Sequence, residues 1–366
     1  MKTMKRPVKN ILCVLLALLL IAAAYLAYVL LTYYRVEDLQ QREVISNAAV
    51  SASPQAGAQY RITSYNIGFG AYSADYSFFM DGGRESRARS ADAVLENIGG
   101  AVDVINEAQP DFALFQEVDT DGTRSHHVNQ LFYLMDAAAS GAFPAYNAVF
   151  AQNYDSPYLF YPFTSPHGAN KSGIAAFTKF KIDSAVRRSL PIEESLMKLV
   201  DLDRCYCVIR IPTASGKELV LYNLHLSAYT SDGTVAVKQL ELLLDDMKAE
   251  YEAGNYCIAG GDFNKDLPGN SGELFGVPTR EGDTWAQPIP DGVIPEGLSL
   301  VVPLHADSPA ASCRTAAEPY TPGSTFRVTV DGFVVSDNVT VSDSNVIETD
   351  YAYSDHNPVY LDFMLK

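Results

Sequence analysis

Apolar residues in this chain fall into three kinds of run. The first is unbroken: Ile11 to Leu31 holds 21 residues without a charge or a strongly polar group. At 1.5 Å rise per residue that is roughly 32 Å of helix, enough to cross a bilayer core. The second kind repeats every three to four residues. Thr234 to Glu252 places Val237, Leu240, Leu244 and Met247 on one helical face, and Ser90 to Gln109, stopped by Pro110, and Val128 to Ala139 also read as helices. The third kind is short and bounded by charges or turn residues, the signature of buried strands. Such runs lie at Tyr60–Asn66, Phe112–Val118, Ala145–Ala151, Gly173–Thr178, Tyr206–Ile211, Leu219–Leu226, Tyr256–Gly260, Thr325–Val335 and Val359–Phe363.

Strands alternating with a few helices, then a strand-rich tail, predict one α/β domain without internal repeats. Lys265 to Gly323 is dense in proline and glycine and predicts long loops, which at that length usually line something functional. Residues 33–58, polar and rich in small residues toward Ser51-Ala52-Ser53-Pro54, read as a stalk ahead of a domain over residues 59–366.

The flanks of the unbroken run decide its reading. A cleaved signal peptide has about 7–15 apolar residues followed by small ones. This run is longer and ends on Thr32, Tyr33, Tyr34 and Arg35, an interfacial aromatic pair plus a charge. It reads as an uncleaved transmembrane signal anchor over residues 11–32. Lys2, Lys5, Arg6 and Lys9 precede it, so residues 1–10 are expected in the cytoplasm and the rest of the chain outside, on a single-pass protein of the cell membrane.

With 48% apolar and 19% charged residues, the composition is globular. Charge adds more. The 44 acidic residues outnumber 27 basic ones, a formal −17, and the five positive charges before residue 36 leave −22 for the remainder. Such a surface repels nucleic-acid phosphate unless a basic patch or a divalent cation intervenes, which speaks against a sequence-reading DNA-binding module. Cys13 lies in the apolar run. Cys205, Cys207, Cys257 and Cys313 are too few for a disulfide scaffold and read as buried thiols, with one disulfide left open.

Polar residues recur where apolar strands stop: Asn66 after ITSY, Glu117 in LFQEVD, His225 in LYNLHL, Asp262 and Asn264 in GGDFN, Asp331 in VTVDGF, and Asp355-His356 in YSDHNP. Any one of them is most often a turn, cap or satisfied core residue. Two exceed that reading. GGDFN joins glycines that permit close backbone approach to a carboxylate and an amide two residues apart, on one side of a strand. SDHNP sets an acid beside an imidazole.

Taken in order over 300 residues, the set resembles the endonuclease/exonuclease/phosphatase superfamily, which includes DNase I-like nucleases, abasic-site endonucleases, neutral sphingomyelinases and inositol-polyphosphate phosphatases. The resemblance implies a four-layer α/β sandwich, two mainly antiparallel sheets face to face with helices outside and the active site at one end. It implies a Mg²⁺ or Mn²⁺ held by Glu117 with Asn66 and Asp355, hard oxygen donors for a hard cation. His356 would act on the attacking water or the phosphate, with Asp331 fixing its tautomer. Asp262 would orient or deprotonate the water, and Asn264 and His225 would donate to phosphate oxygens.

These motifs imply a reaction class, not a substrate. Val118-Asp119-Thr120-Asp121 lacks the basic residue a nuclease would use after Glu117. Arg124 reads either as a compensating phosphate contact or as part of a solvated helix start. Lys171, in the turn from His167 to Gly173, reads as a phosphate contact or as part of a polar turn. Two aromatic clusters occupy loops: Phe69, Tyr72, Tyr76, Phe78 and Phe79, then Tyr154, Tyr158, Phe160, Tyr161 and Phe163. They can grip a membrane, stack on bases or sugars, or pack as loop cores. The expectation is a membrane-anchored, metal-dependent phosphodiesterase acting on extracellular nucleic acid or phospholipid, with no obligate protein partner. A phosphomonoesterase of the inositol-phosphate type and an inactive binding module are the alternatives.

Overall fold

The structure, a computed structural model, describes residues 6–135, 146–193, 202–228, 234–277, 285–305 and 307–366. In chain order its strands are β1 (Gln40–Gln41), β2 (Val44–Ile45), β3 (Gln59–Asn66), β4 (Phe112–Gly122), β5 (Asn147–Asp155), β6 (Asn170–Thr178), β7 (Ser184–Ser189), β8 (Cys205–Pro212), β9 (Glu218–His225), β10 (Tyr256–Asp262), β11 (Leu298–Val301), β12 (Cys313–Arg314), β13 (Arg327–Val328), β14 (Asp331–Ser336), β15 (Val339–Val346) and β16 (Val359–Leu365). The helices are α1 (Arg6–Thr32), α2 (Ala91–Ala108), α3 (Gln130–Met135), α4 (Thr234–Glu252) and α5 (Ser271–Leu274).

The long strands are apolar on both faces, so each sheet has to be covered twice. One seven-stranded sheet runs β15-β16-β3-β4-β6-β5-β2, the other β1-β7-β8-β9-β10-β14-β11. Their inner faces meet through Ile62, Leu114, Ile174, Ile209, Leu221, Ile258 and Phe333. The outer face of the first sheet packs Phe115 and Phe177 against Val94, Ile98 and Ile105 of α2. The outer face of the second packs Tyr222 and Cys257 against Leu240, Leu244 and Met247 of α4. This is the four-layer sandwich the motifs imply.

Each sheet contains one parallel pair, β3 with β4 and β9 with β10, and its remaining pairs are antiparallel. The two helices are the crossovers of those parallel pairs: β3-α2-β4 and β9-α4-β10. Four strand C-termini therefore open at one end of the sandwich, two from each sheet. Antiparallel β14 begins where β10 ends, with Asp331 opposite Asp262. Topology thus gathers the polar strand ends in one place.

Residues 33–58 do not form a stalk. β1 extends one sheet at the edge of β7, and β2 extends the other at the edge of β5. Two-residue strands carry no periodicity to read; they are held by backbone pairing and by the Arg42 Nε bond to the Phe150 carbonyl at 2.8 Å. The run Thr325–Val335 divides into β13 and β14, and Lys265–Gly323 contributes α5, β11 and β12 beside its loops. The third helix matches its expected bounds, whereas α3 starts two residues late at Gln130 and residues 136–139 lie outside the described residues. Cys205, Cys207, Cys257 and Cys313 are all free and buried. Among the described residues, α1 is the one helix long and apolar enough to cross a membrane.

Candidate active site

Strand phase explains why these side chains converge. Tyr60 and Ile62 face the gap between the sheets, so Asn66, four residues beyond Ile62, does too. The same alternation carries Asn223 and His225 inward after Leu219 and Leu221, Asp262 after Ile258, and Asp331 ahead of Phe333. Glu117 is the exception. It follows the inward Gln116 and would face α2, but its backbone sits at φ 56° inside a bulge between Phe115 and Val118. That irregularity leaves its carboxylate within 3.4 Å of the Asn66 amide nitrogen.

The two glycines before Asp262 are fixed by contact. A Cβ at Gly261 would lie 2.1 Å from the Leu224 carbonyl oxygen, and one at Gly260 would lie 2.8 Å from the Phe333 ring. Beyond them the chain turns sharply, with Asn264 at φ 49°, its N–H donating to Asp262 Oδ1 at 2.9 Å. Asn264 therefore leaves the strand edge on which it was expected. One of its amide hydrogens is spent on the Leu226 carbonyl at 2.9 Å.

Asp262 is the centre of the cluster. Its Oδ2 accepts from Asn66 Nδ2 at 3.1 Å, with His225 Nε2 at 3.5 Å and His356 Nε2 at 3.9 Å. On its other side the His356 ring meets Asp331: Nδ1 lies 2.7 Å from Oδ2. The Ser312 hydroxyl accepts from the Asp331 N–H at 3.0 Å, and Ser354 Oγ donates to the Asn66 carbonyl at 2.8 Å, tying the SDH turn to the end of β3.

Charge follows from this packing. Burial, then the neighbouring Asp331 charge, pushes the Asp262 carboxyl up to about 7. For His356, burial opposes protonation, but Asp331 outweighs it and holds the imidazole well above its ordinary range. Burial, then the charges of Arg204 and His356, drives His225 well below its range, so it stays neutral. Glu117 and Asp355 are both raised by burial, and the Asp355 charge raises Glu117 further.

Glu117 and Asp355 are half-buried, whereas Asp262, Asp331 and His356 are closed in. Two carboxylates left partly open and mutually repelling suit a divalent cation. Asp262, Asp331 and His356 also bring one donor atom each within 4.8 Å, but there Asp331 is already engaged by the imidazole. Asn66, expected as a ligand, has its Oδ1 on the Gly68 N–H at 3.0 Å and turns its amide nitrogen to the cluster. It is a hub joining Glu117, Asp262 and His356.

Neither expected phosphate contact is free to meet a phosphate, although the Arg124 charge reaches Glu117 and His225. Arg124 is buried in a bidentate pair with Asp119, 2.8 and 3.1 Å, and its guanidinium lies 4.1 Å above the Phe69 ring. Lys171 alternates with the inward Ser172 and Ile174, so it shares the outer face of Ala175 and Phe177. Of the two aromatic clusters, the one from Phe69 to Phe79 is a loop core packed on α2.

Sequence reasoning missed Arg204. It precedes β8, is only 7% exposed, and its Nε and Nη1 have no partner among the described residues. Its charge reaches both Glu117 and His225. Gln116 and Asn223 were overlooked as well, although QE and NxH contain them and strand phase points both inward.

Residues 63–356 match the profile of the Endonuclease/Exonuclease/phosphatase family. The chain belongs to that family. Endonuclease/exonuclease/phosphatase proteins are hydrolases of phosphoric esters and typically use divalent metals. Solved structures share the fold. An endonuclease/exonuclease/phosphatase from Beutenbergia cavernae DSM 12333 aligns with TM-score 0.55 at 18% identity, over 84% of this chain and 72% of that one. ANGEL2, a 2',3'-cyclic phosphatase in complex with adenosine-2',3'-vanadate, aligns with TM-score 0.53 at 16% identity, over 89% and 99%. The human Nocturnin catalytic domain with bound sulfate aligns with TM-score 0.50 at 18% identity, over 89% and 98%. Comparison with curated proteins gives no match.

Proposed function

We propose that this chain is a membrane-anchored, Mg²⁺- or Mn²⁺-dependent phosphodiesterase that hydrolyses an extracytoplasmic phosphodiester by in-line attack of water. The observation that carries the reading is Asp262, a buried carboxylate raised to about 7 and set among Asn66, His225 and the His356–Asp331 pair. A base poised near the working pH beside a fixed imidazolium is what water activation at a phosphorus centre needs.

Glu117 and Asp355 would hold the cation. Bound there, it supplies Lewis acidity toward a phosphoryl oxygen. The protein's own groups do the rest. Asp262, deprotonated, takes a proton from the attacking water while Asn66 and the Asn264 N–H fix the carboxylate. His356, kept protonated by Asp331, donates from Nε2 to the phosphate. As the water oxygen bonds to phosphorus, the ester P–O bond opposite it breaks, the leaving oxygen taking a proton from solvent. Neutral His225 and the remaining amide hydrogen of Asn264 donate to its other oxygens, and charge developing there is met by fixed donors.

Arg204 is a candidate donor to a phosphate oxygen of the substrate. Arg124 is committed to Asp119, and Arg187 and Arg314 to backbone carbonyls, whereas Arg204 leaves Nε and Nη1 without a partner among the described residues. ANGEL2, a fold relative, is a 2',3'-cyclic phosphatase. The apolar α1, with basic residues before it and Tyr33-Tyr34-Arg35 after it, supports a single-pass anchor with its N-terminus in the cytoplasm.

The test is hydrolysis of bis(4-nitrophenyl) phosphate by the full chain in detergent, abolished by EDTA and restored by Mg²⁺ or Mn²⁺. Hydrolysis of 4-nitrophenyl phosphate in preference to the diester would reverse the assignment.

A further inference from the structure

α1 ends at Thr32, and Val36 is already buried, its carbonyl and that of Glu37 accepting from Arg187 Nη1 at 3.4 and 3.2 Å. Arg35 pairs with Asp203 at 2.7 Å. Residues 33–35 alone bridge helix and domain, about 10 Å at full extension. If α1 spans a bilayer, the domain rests on its surface.

The contacts of α1 fix which side of the domain rests there. Tyr158 N–H donates to Tyr28 Oη at 3.0 Å, Tyr25 donates to the Tyr158 carbonyl at 3.2 Å, and the Tyr25 and Phe160 rings meet edge to face at 5.2 Å. These partners belong to the loop between β5 and β6. On that loop Phe160, Tyr161 and Phe163 are 49%, 63% and 84% exposed. Tyr25 lies seven residues before the helix end, roughly 10 Å along the axis, so the loop it touches lies beside the outer end of the span.

The same loop sits at the site end of the sandwich. It leaves β5 at Asp155 and enters β6 at Asn170, in register with Asp121 and Gly122, just beyond Glu117. Rings connect the two places: Tyr161 to Phe79 at 5.8 Å, Phe79 to Phe78 at 4.9 Å, and Phe78 to Phe69 at 6.2 Å, with Phe69 three residues past Asn66.

We propose that the loop Tyr158–Phe163 is a second membrane contact that seats the site end on the outer leaflet, and that the site takes the phosphodiester of a lipid headgroup there. This rests on the anchored phosphodiesterase reading. The contact is apolar, because a domain of formal charge −22 gains nothing from an anionic surface. Aromatic side chains enter the interface, and the open carboxylates Glu117 and Asp355 come level with the headgroups.

The test uses the full chain in nanodiscs of phosphatidylcholine, phosphatidylethanolamine, phosphatidylglycerol and sphingomyelin. Tryptophan emission is read for Phe163→Trp and for Ser215→Trp, the latter on the β8–β9 turn at the opposite end, each as the difference from the parent with its single Trp285. Lipids brominated on the acyl chains should quench Phe163→Trp at least twofold and leave Ser215→Trp unchanged. A chain that fails to enter discs overturns the anchor and this inference with it. A chain in discs with unquenched Phe163→Trp overturns the loop contact alone. In a second arm, Phe160→Ser with Phe163→Ser should lower release of phosphate-bearing headgroups from discs at least tenfold, with bis(4-nitrophenyl) phosphate hydrolysis unchanged. Equal headgroup release by variant and parent, or plasmid nicking by a parent that releases no headgroup, overturns the lipid assignment.

Discussion

Gln116 and Asn223 meet across the gap between the two sheets, Gln116 Nε2 donating to Asn223 Oδ1 at 2.8 Å beside the candidate site cluster. Asn223 Nδ2 donates in turn to the carbonyls of Ala175 at 2.8 Å and Phe115 at 3.3 Å, and Ser64 Oγ lies against the Gln116 amide. The next residue after Gln116 is Glu117, and the second after Asn223 is His225. A buried polar bridge thus fixes the height of the two sheets relative to one another at the point where the chemistry is assembled.

Asn223→Leu removes one acceptor of the Gln116 amide and the donor to two backbone carbonyls in an apolar gap. Each stranded group costs about 1–3 kcal/mol. The expected result is a melting temperature lower by several degrees, and a fall in kcat persisting at temperatures where the variant is fully folded. An unchanged kcat in the folded variant would make the bridge purely structural.

Asp262→Asn should separate stability from activity. The folded-state value of Asp262, about 7, lies above the ordinary carboxylate value. Its contribution to stability is therefore complete below the unfolded value and lost as pH rises through 7, where the ionised group is unfavourable. At pH 8 in EDTA the variant should melt above the parent, and the gap should close as pH falls below about 7. Catalysis should drop by roughly 10²–10⁴-fold. In the parent, activity should rise with pH across the same value.

Glu117→Gln tests the cation site without an activity assay. Mg²⁺ that binds only the folded chain raises its melting temperature by mass action. The parent should show a concentration-dependent rise, and the variant little or none at the same Mg²⁺. An equal rise in both would move the cation to Asp262, Asp331 and His356.

Arg204→Ala should act on substrate binding. A lost charge-assisted hydrogen bond of about 1.5–3 kcal/mol corresponds to a KM increase of about 10- to 100-fold. Competitive inhibition by inorganic phosphate should weaken in parallel, and Arg204→Lys should recover part of both. A lower kcat at unchanged KM would assign Arg204 to the transition state instead.

How much of this was legible follows from strand phase. Asn66, His225 and Asp262 end apolar runs and Asp331 begins one, all in phase with inward residues, so their shared face could be read directly. Glu117 could not be placed that way, because a bulge and a left-handed backbone turn it inward against its phase. Lys171 and Arg124 were misread because a charge in a polar stretch says nothing about which sheet face it occupies or which carboxylate has claimed it. Arg204 follows Asp201-Leu202-Asp203, an environment that suggests an ordinary salt bridge, yet Asp203 is taken by Arg35. The segment 33–58 was misread because β1 and β2 are too short to alternate. A truncation beginning near residue 41 would cut into β1, so a soluble fragment should start no later than residue 33.

The central claim is that the Asp262 and His356 cluster hydrolyses phosphodiesters. Its most direct test is the rate of bis(4-nitrophenyl) phosphate hydrolysis in Mg²⁺ by the parent, Asp262→Asn and His356→Ala, all shown to be folded by circular dichroism. Turnover by the parent with both variants reduced at least a hundredfold is the predicted result. Parent-like turnover in either folded variant would contradict it.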